Sequence, residues 1–177
     1  IGSPSFGQNI RFFLRYQVGY MYLRYFMWNF AGRQNDIQGQ GELTKGNWIS
    51  GIKFIDEARL GSQDDLPDFI VKNKGHNRYY MLPLLLGLLG AWFHYKRHNK
   101  DFWVLGLLFV LTGFAILVYL NQYPIQPRER DYADAGSFYA FSIWIGMGVA
   151  GLVEWVSKKK RNMATTGAVV LVSLILV

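Results

Sequence analysis

Arginine and carboxylate side chains fall together at two places in this chain, and both groupings could meet a polar, phosphate-bearing ligand. The stretch 126–141, QPRERDYADAGSFYAF, carries Arg128, Glu129, Arg130, Asp131 and Asp134 between two long apolar runs. The loop 31–41, AGRQNDIQGQG, carries Arg33, Gln34, Asn35 and Asp36 among three glycines. Guanidinium groups suit phosphate because they stay charged and present a fork of donors. Carboxylates beside them could bind a cation, act as a base or orient the arginines. Alternating signs equally suit an inert set of surface ion pairs, and a polar glycine loop equally suits a plain helix cap. No nucleophile–histidine–acid set and no phosphate-cradling glycine loop is evident.

The elements that must position these groups are set by where the apolar residues lie. About half of the 177 residues are hydrophobic, and they concentrate after Tyr79 in runs at 79–95, 102–120, 138–156 and 163–177. A hydrocarbon core of roughly 30 Å needs about 20 helical residues, so these runs read as spans. The expected fold is all-α: a polytopic helical membrane protein segment with an interfacial amphipathic helix and four transmembrane helices, the last truncated. Residues 1–78 would form an extracytoplasmic or interfacial region and 79–177 the transmembrane region. The chain opens without Met and stops inside an apolar run, which suggests an internal fragment of a larger protein. With no cysteine, disulfides, thiolate catalysis and cysteine metal sites are excluded. A net charge of +7 would suggest nucleic acid in a soluble protein. Here the densest basic clusters abut apolar runs, which fits membrane topology and no nucleic acid.

Residues 9–30 are rich in Tyr, Phe, Trp and Met, with Arg11, Arg15 and Arg24 among them. At 100° per residue, Arg11 and Arg15 share a face and Arg24 lies roughly opposite. Three arginines disfavour a simple span, at about 3 kcal/mol each near a helix centre. An interfacial helix fits better, and a helix buried in a larger protein is the alternative. Residues 52–60 suit a short amphipathic helix. Asp64, Asp65 and Asp68 suit a solvated turn better than a cation site. The loops 96–101 and 157–162 are basic, and the loop between them is not. That alternation places 96–101 and 157–162 in the cytoplasm, and 1–78 and 121–137 outside it.

Three further patterns read as structural. Gly146, Gly148 and Gly151 match a dinucleotide fingerprint literally, but inside an apolar helix; close helix packing along Ser142, Gly146 and Ala150 explains them better. His94 and His98 could share a metal but read as ordinary interfacial residues. Glu154 and Lys158 form an i,i+4 pair.

The words MYLRYFMWNFAGRQNDIQG, GNWISGI and NQYPIQPRERDYADAGSFYAFSIWIG resemble a bacterial family of large polytopic membrane proteins over most of residues 20–148. That family is described as protein O-mannosyltransferase-like, within the GT-C superfamily of glycosyltransferases, and was formerly a domain of unknown function. The resemblance implies an inner-membrane enzyme with an extracytoplasmic active site. It implies a polyprenyl-phosphate sugar donor and a protein or glycan hydroxyl as acceptor. The resemblance implies a catalytic acid in a first extracytoplasmic loop, and the chain is expected to begin after that loop. The positions matching the family words are Arg33, Asn35, Asp36, Arg128, Glu129, Arg130 and Asp131, assigned to donor-phosphate or substrate binding. Asp134 departs from the family pattern, where an apolar or aromatic residue is expected. A divalent cation is the one cofactor these acids would suit. The rival reading is a non-enzymatic subunit or scaffold of an envelope secretion or transport complex, partnered by membrane lipid and by the rest of its own chain or a membrane complex. A transporter is third, weakened by spans whose cores lack ionisable residues until Glu154.

Overall fold

Ser5 and Gln8 stand three apart and start the first helix by bonding each other's backbone, the Ser5 N–H donating to Gln8 Oε1 at 2.8 Å and the Gln8 N–H to Ser5 Oγ at 3.4 Å. The structure is a computed structural model that describes residues 3–64, 66–122, 124, 131–159, 167 and 171, with backbone alone at Asp131, Lys158 and Lys159. Helix α1 covers 6–30. It runs as Phe6–Phe12, then a π-helical stretch Phe13–Leu23, then Arg24–Phe30. Two short helices follow in a long connection, α2 (Lys53–Leu60) and α3 (Asp68–Val71). Then come α4 (Leu82–Arg97), α5 (Asn99–Leu120, π-helical at Leu111–Ala115) and, after a 3₁₀ turn at Asp131–Asp134, α6 (Ala135–Lys159). Among the described residues there is no strand; Arg33 alone forms isolated bridges, to Trp48 and Asn77.

Two helices are long and apolar enough to cross a membrane, Asn99–Leu120 and Tyr132–Ser157. They cover the second and third expected spans. The first expected span, 79–95, is only the 16-residue α4, about 24 Å long and shorter than a hydrocarbon core of roughly 30 Å. Its start is displaced because Tyr80 and Met81 take left-handed backbone conformations, φ 53° and 57°, before Pro83 sets the first helical turn. The expected fourth span, 163–177, lies outside the described residues.

α4 and α6 run parallel and touch backbone to backbone. A Cβ on Gly90 would lie 1.7 Å from the Trp144 carbonyl oxygen, and one on Gly148 would lie 2.2 Å from that of Leu86. One on Gly87 would meet the Phe141 ring and one on Gly151 the Phe93 ring. Close helix packing therefore does explain the glycines of α6, but on the Gly148–Gly151 face. Ser142, Gly146 and Ala150 point outward and are exposed. The physical reason is that Gly87 and Gly90 on α4 offer the same three-residue glycine spacing to Gly148 and Gly151. α5 returns antiparallel across this pair through Phe102, which stacks on Trp144, and Phe109, whose ring lies tilted against Phe141 and Trp144.

α1 does not lie wholly on a surface. Its C-terminal half plugs the end of the bundle, with Phe26 and Phe30 in one cluster with Leu84, Phe141, Trp144 and Ile145. Aromatic edges meet there at centroid separations of 4.7–4.9 Å. The N-terminal half leaves Phe6, Ile10 and Leu14 exposed, beside exposed Arg11 and Arg15, while Arg24 is buried. Exposed aromatic residues form two tiers on the bundle: Trp92, Trp103 and Trp155 near the 96–101 turn, and Tyr80, Tyr119, Tyr132 and Tyr139 near the opposite end. Between the tiers the exposed large residues include Leu85, Leu88, Leu89, Val104, Leu107, Leu108, Val110 and Leu111. Trp103 to Tyr119 and Tyr139 to Trp155 are each about 24 Å along their helices.

The glycine contacts generate the first prediction. Gly90→Ala should destabilise the bundle by about 3 kcal/mol or more, since its methyl meets backbone that no rotamer can move. Gly146→Ala should not lower the stability and should raise it by up to about 1 kcal/mol, because nothing lies within 4 Å of its would-be Cβ and alanine is the better helix former. Thermal unfolding of both variants in detergent checks the contrast.

Candidate functional site

Residues 31–50 fold back as a polar knot over the end of α1, because two buried amides close it. Asn35 is fully buried; its Nδ2 donates to the Thr44 carbonyl at 2.8 Å, and its Oδ1 accepts from the N–H groups of Gly46 at 2.8 Å and Ile37 at 3.3 Å. Gln34 donates to the Leu43 carbonyl at 2.8 Å and accepts from Asn47. Arg24 is buried beneath, its Nη1 donating to the Gly46 carbonyl at 2.5 Å and its guanidinium lying over Tyr20. The knot is tied to α4 where the Arg33 and Asn77 backbones exchange bonds of 2.7 and 2.9 Å and the Met81 N–H donates to the Ala31 carbonyl at 3.1 Å.

That tie gathers a small set of groups with chemistry to offer. The Arg33 guanidinium lies 4.1 Å from the Trp28 ring centroid and 5.8 Å from that of Tyr79. Its Nη2 makes one long bond, 3.4 Å, to Asn29 Oδ1, and its Nε is buried with no partner. Trp28 is fixed by donating from Nε1 to the Asn35 carbonyl at 2.9 Å. Asp36 is exposed and packs on Gly75, where a Cβ would lie 2.9 Å from its own. His76 places Nδ1 2.8 Å from the Gln34 carbonyl. The arrangement is a positively charged fork held between aromatic faces with donor capacity in reserve, which suits an anion.

The second half of the site begins beside α1. Gln17, buried in the π-helical stretch, donates from Nε2 to Asn121 Oδ1 and the Gln122 carbonyl, both at 3.0 Å. This anchors the end of α5. The 3₁₀ turn at 131–134 sits against α5, with Gly136 on Thr112. Tyr22 is buried there; its hydroxyl approaches Ser137 but finds no bond of normal geometry, and Gln122 Oε1 is likewise orphaned. Thus the three buried orphan polar atoms among the described residues, on Tyr22, Arg33 and Gln122, all lie at the end of the bundle that carries the 31–81 and 121–134 connections.

Of the residues singled out from sequence, Arg33 and Asp36 reach this end with polar atoms accessible or unspent. Asn35 also lies there, but its side chain is consumed in closing the knot. Arg128, Glu129 and Arg130 lie outside the described residues, and Asp131 is placed by backbone alone, at the head of the 3₁₀ turn. Sequence reasoning passed over Trp28, Tyr79, His76 and Gln17. Gln17 had a signal, an amide in the middle of an aromatic run; Trp28 meets Arg33 and Asn35 locally, and Tyr79 and His76 depend on a long-range tie that no local pattern reports.

The GNWISGI word is structural. Asp56, buried, accepts from the Ser50 N–H at 2.7 Å, the Ser50 hydroxyl at 2.9 Å and the Gly51 N–H at 2.9 Å. Arg59 lies 3.5 Å from the Trp48 ring centroid and donates to its carbonyl at 3.1 Å. Burial pushes the Arg59 guanidinium below its usual range and Asp56 opposes this. Asp64 and Asp68 pair with Lys53 and Lys72. No group of three possible metal ligands occurs among the described residues. His94 is buried and receives the Trp144 indole N–H at 3.3 Å, whereas His98 is exposed. Glu154 pairs with Arg97 of α4, across the bundle.

Comparison with protein-family models, with curated proteins and with solved structures found no match to this chain.

The knot yields the second prediction. Asn35→Ala should loosen residues 31–50 by about 2–3 kcal/mol, since buried backbone groups lose their partners. Asp36→Ala, at an exposed position, should change stability by less than about 0.5 kcal/mol. Limited proteolysis across 31–50 distinguishes the two.

Proposed function

We propose that this chain is a segment of an integral-membrane glycosyltransferase that moves a sugar from a polyprenyl-phosphate donor to a protein or glycan hydroxyl. The observation that carries the reading is Arg33, caged by Trp28 and Tyr79 with an unbonded Nε, at the bundle end that also carries the 121–134 connection. Arg33 and Asp36 from one connection, and Arg128, Glu129, Arg130 and Asp131 from the other, would share the donor phosphate and its sugar. Asn35 would serve them by holding the knot in shape. The resemblance of the same words to protein O-mannosyltransferase-like GT-C proteins supports the reaction class.

The membrane placement is supported by the two long apolar helices and by the two aromatic tiers with leucine and valine exposed between them. On the positive-inside rule, the basic turn 96–101 faces the cytoplasm of a bacterial inner membrane. The connections 31–81 and 121–134 then face outward, where lipid-linked sugars are used. One observation favours a docking role instead: the exposed Phe6, Ile10 and Leu14 stripe of α1 would suit a partner protein in an envelope assembly.

The third prediction tests the transferase. In the full-length protein in membranes, Arg33→Ala, Arg128→Ala and Arg130→Ala should each lower sugar transfer from a polyprenyl-phosphate donor roughly ten- to hundredfold, the loss expected for one charged hydrogen bond. Arg33→Lys should recover part of it. Undiminished transfer in all three alanine variants rejects the reading.

A further inference from the structure

A cleft opens between α4 and α6 at the end remote from the site. Its volume is about 440 Å³ and its wall is apolar, formed by Leu89, Trp92, Phe93, Leu152 and Trp155. That size falls within the roughly 300–1,000 Å³ of small-ligand clefts. Glu154 is the single acid on the wall, and Arg97 bonds it from the facing helix. Trp92 and Trp155 flank the opening, each 63% exposed. Past the end of α4 the charge changes sharply: Lys96, Arg97, His98 and Lys100 follow one another with exposed side chains, against one acid, Asp101. The last turn of α6 carries Lys158 and Lys159 at the same end.

We propose that this cleft holds an acyl chain of an anionic phospholipid, with its phosphate at the 96–100 turn. The occupant must be apolar along the cleft and anionic at its mouth. A tryptophan pair at the boundary marks headgroup depth, where indole is favoured. A zwitterionic lipid fills the same cleft but offers the lysines no net charge. The selection is therefore electrostatic, on the order of fivefold for each lysine near a headgroup. The inference shares with the transferase only its membrane placement and stands without any catalytic role.

The test uses the full chain in phosphatidylcholine vesicles in which a fifth of the lipid is either phosphatidylglycerol or phosphatidylcholine brominated along the acyl chains. Brominated phosphatidylglycerol should quench tryptophan emission with an apparent preference of roughly five- to twenty-five-fold, the range for one to two lysines at the headgroup. The excess should vanish in a Trp92→Phe/Trp155→Phe variant, which removes the reporters at the cleft. It should shrink in Lys96→Gln/Lys100→Gln, which keeps them. Equal quenching by the two lipids overturns the proposal in favour of ordinary leaflet lipid. A preference that survives loss of both tryptophans places the anionic lipid elsewhere. Quenching of neither tryptophan means that protein fills the cleft. Flotation with the vesicles separates failed insertion, which overturns the membrane placement itself, from an inserted chain without preference, which overturns only this proposal.

Discussion

The contact of Gly90 with the Trp144 carbonyl is the constraint on which the rest of the molecule depends. Two parallel helices can approach this closely because Gly90 and Gly148 meet without side chains, while Gly87 makes room for the Phe141 ring and Gly151 for the Phe93 ring. The approach sets the height at which Phe141 and Trp144 present their rings to Phe109, Phe26 and Phe30. It also fixes where α4 begins, and so where Met81 can reach back to Ala31. A single added methyl would shift α4, and the polar knot that hangs from it would move too.

The two ends of the bundle are chemically unlike. One gathers buried amides, a stacked arginine and every orphan polar atom among the described residues. The other is a short basic turn whose contacts include an ion pair, Arg97 with Glu154, and a buried Trp144–His94 bond. Buried polar groups without partners are a burden on stability, so their confinement to one end is a structural argument for where a ligand belongs. The basic end shows the opposite economy, with its charge at the surface.

Much of the architecture was legible because it depends on local pattern. Apolar run length located α5 and α6, and the short helix expected at 52–60 is α2. What was not legible depended on partners distant in sequence. Gly146 and Gly148 look equivalent in the sequence; only the glycines of α4 decide which is inside. Asn35 looks like any loop amide until Thr44 and Gly46 fold onto it. The cage around Arg33 needs Tyr79, which arrives through the Arg33–Asn77 tie rather than through any nearby motif. A reading at 100° per residue also could not register that the middle of α1 is wound wider than an α-helix.

That wider winding spans Phe13–Leu23, and the Arg24 N–H reaches back five residues to Gly19. Gln17 and Tyr22, five apart, both face inward, one gripping the end of α5 and the other with its ring 4.8 Å from that of Phe114 in that helix's own π-helical stretch. The coil thus works as a vernier. It sets the angular phase between the plug of Phe26 and Phe30 and the protruding stripe of Phe6, Ile10 and Leu14. Rewinding it to 3.6 residues per turn would swing the stripe around the axis and pull Gln17 off Asn121, so the azimuth of the protruding arm is locked to the geometry of the loop that Gln17 holds.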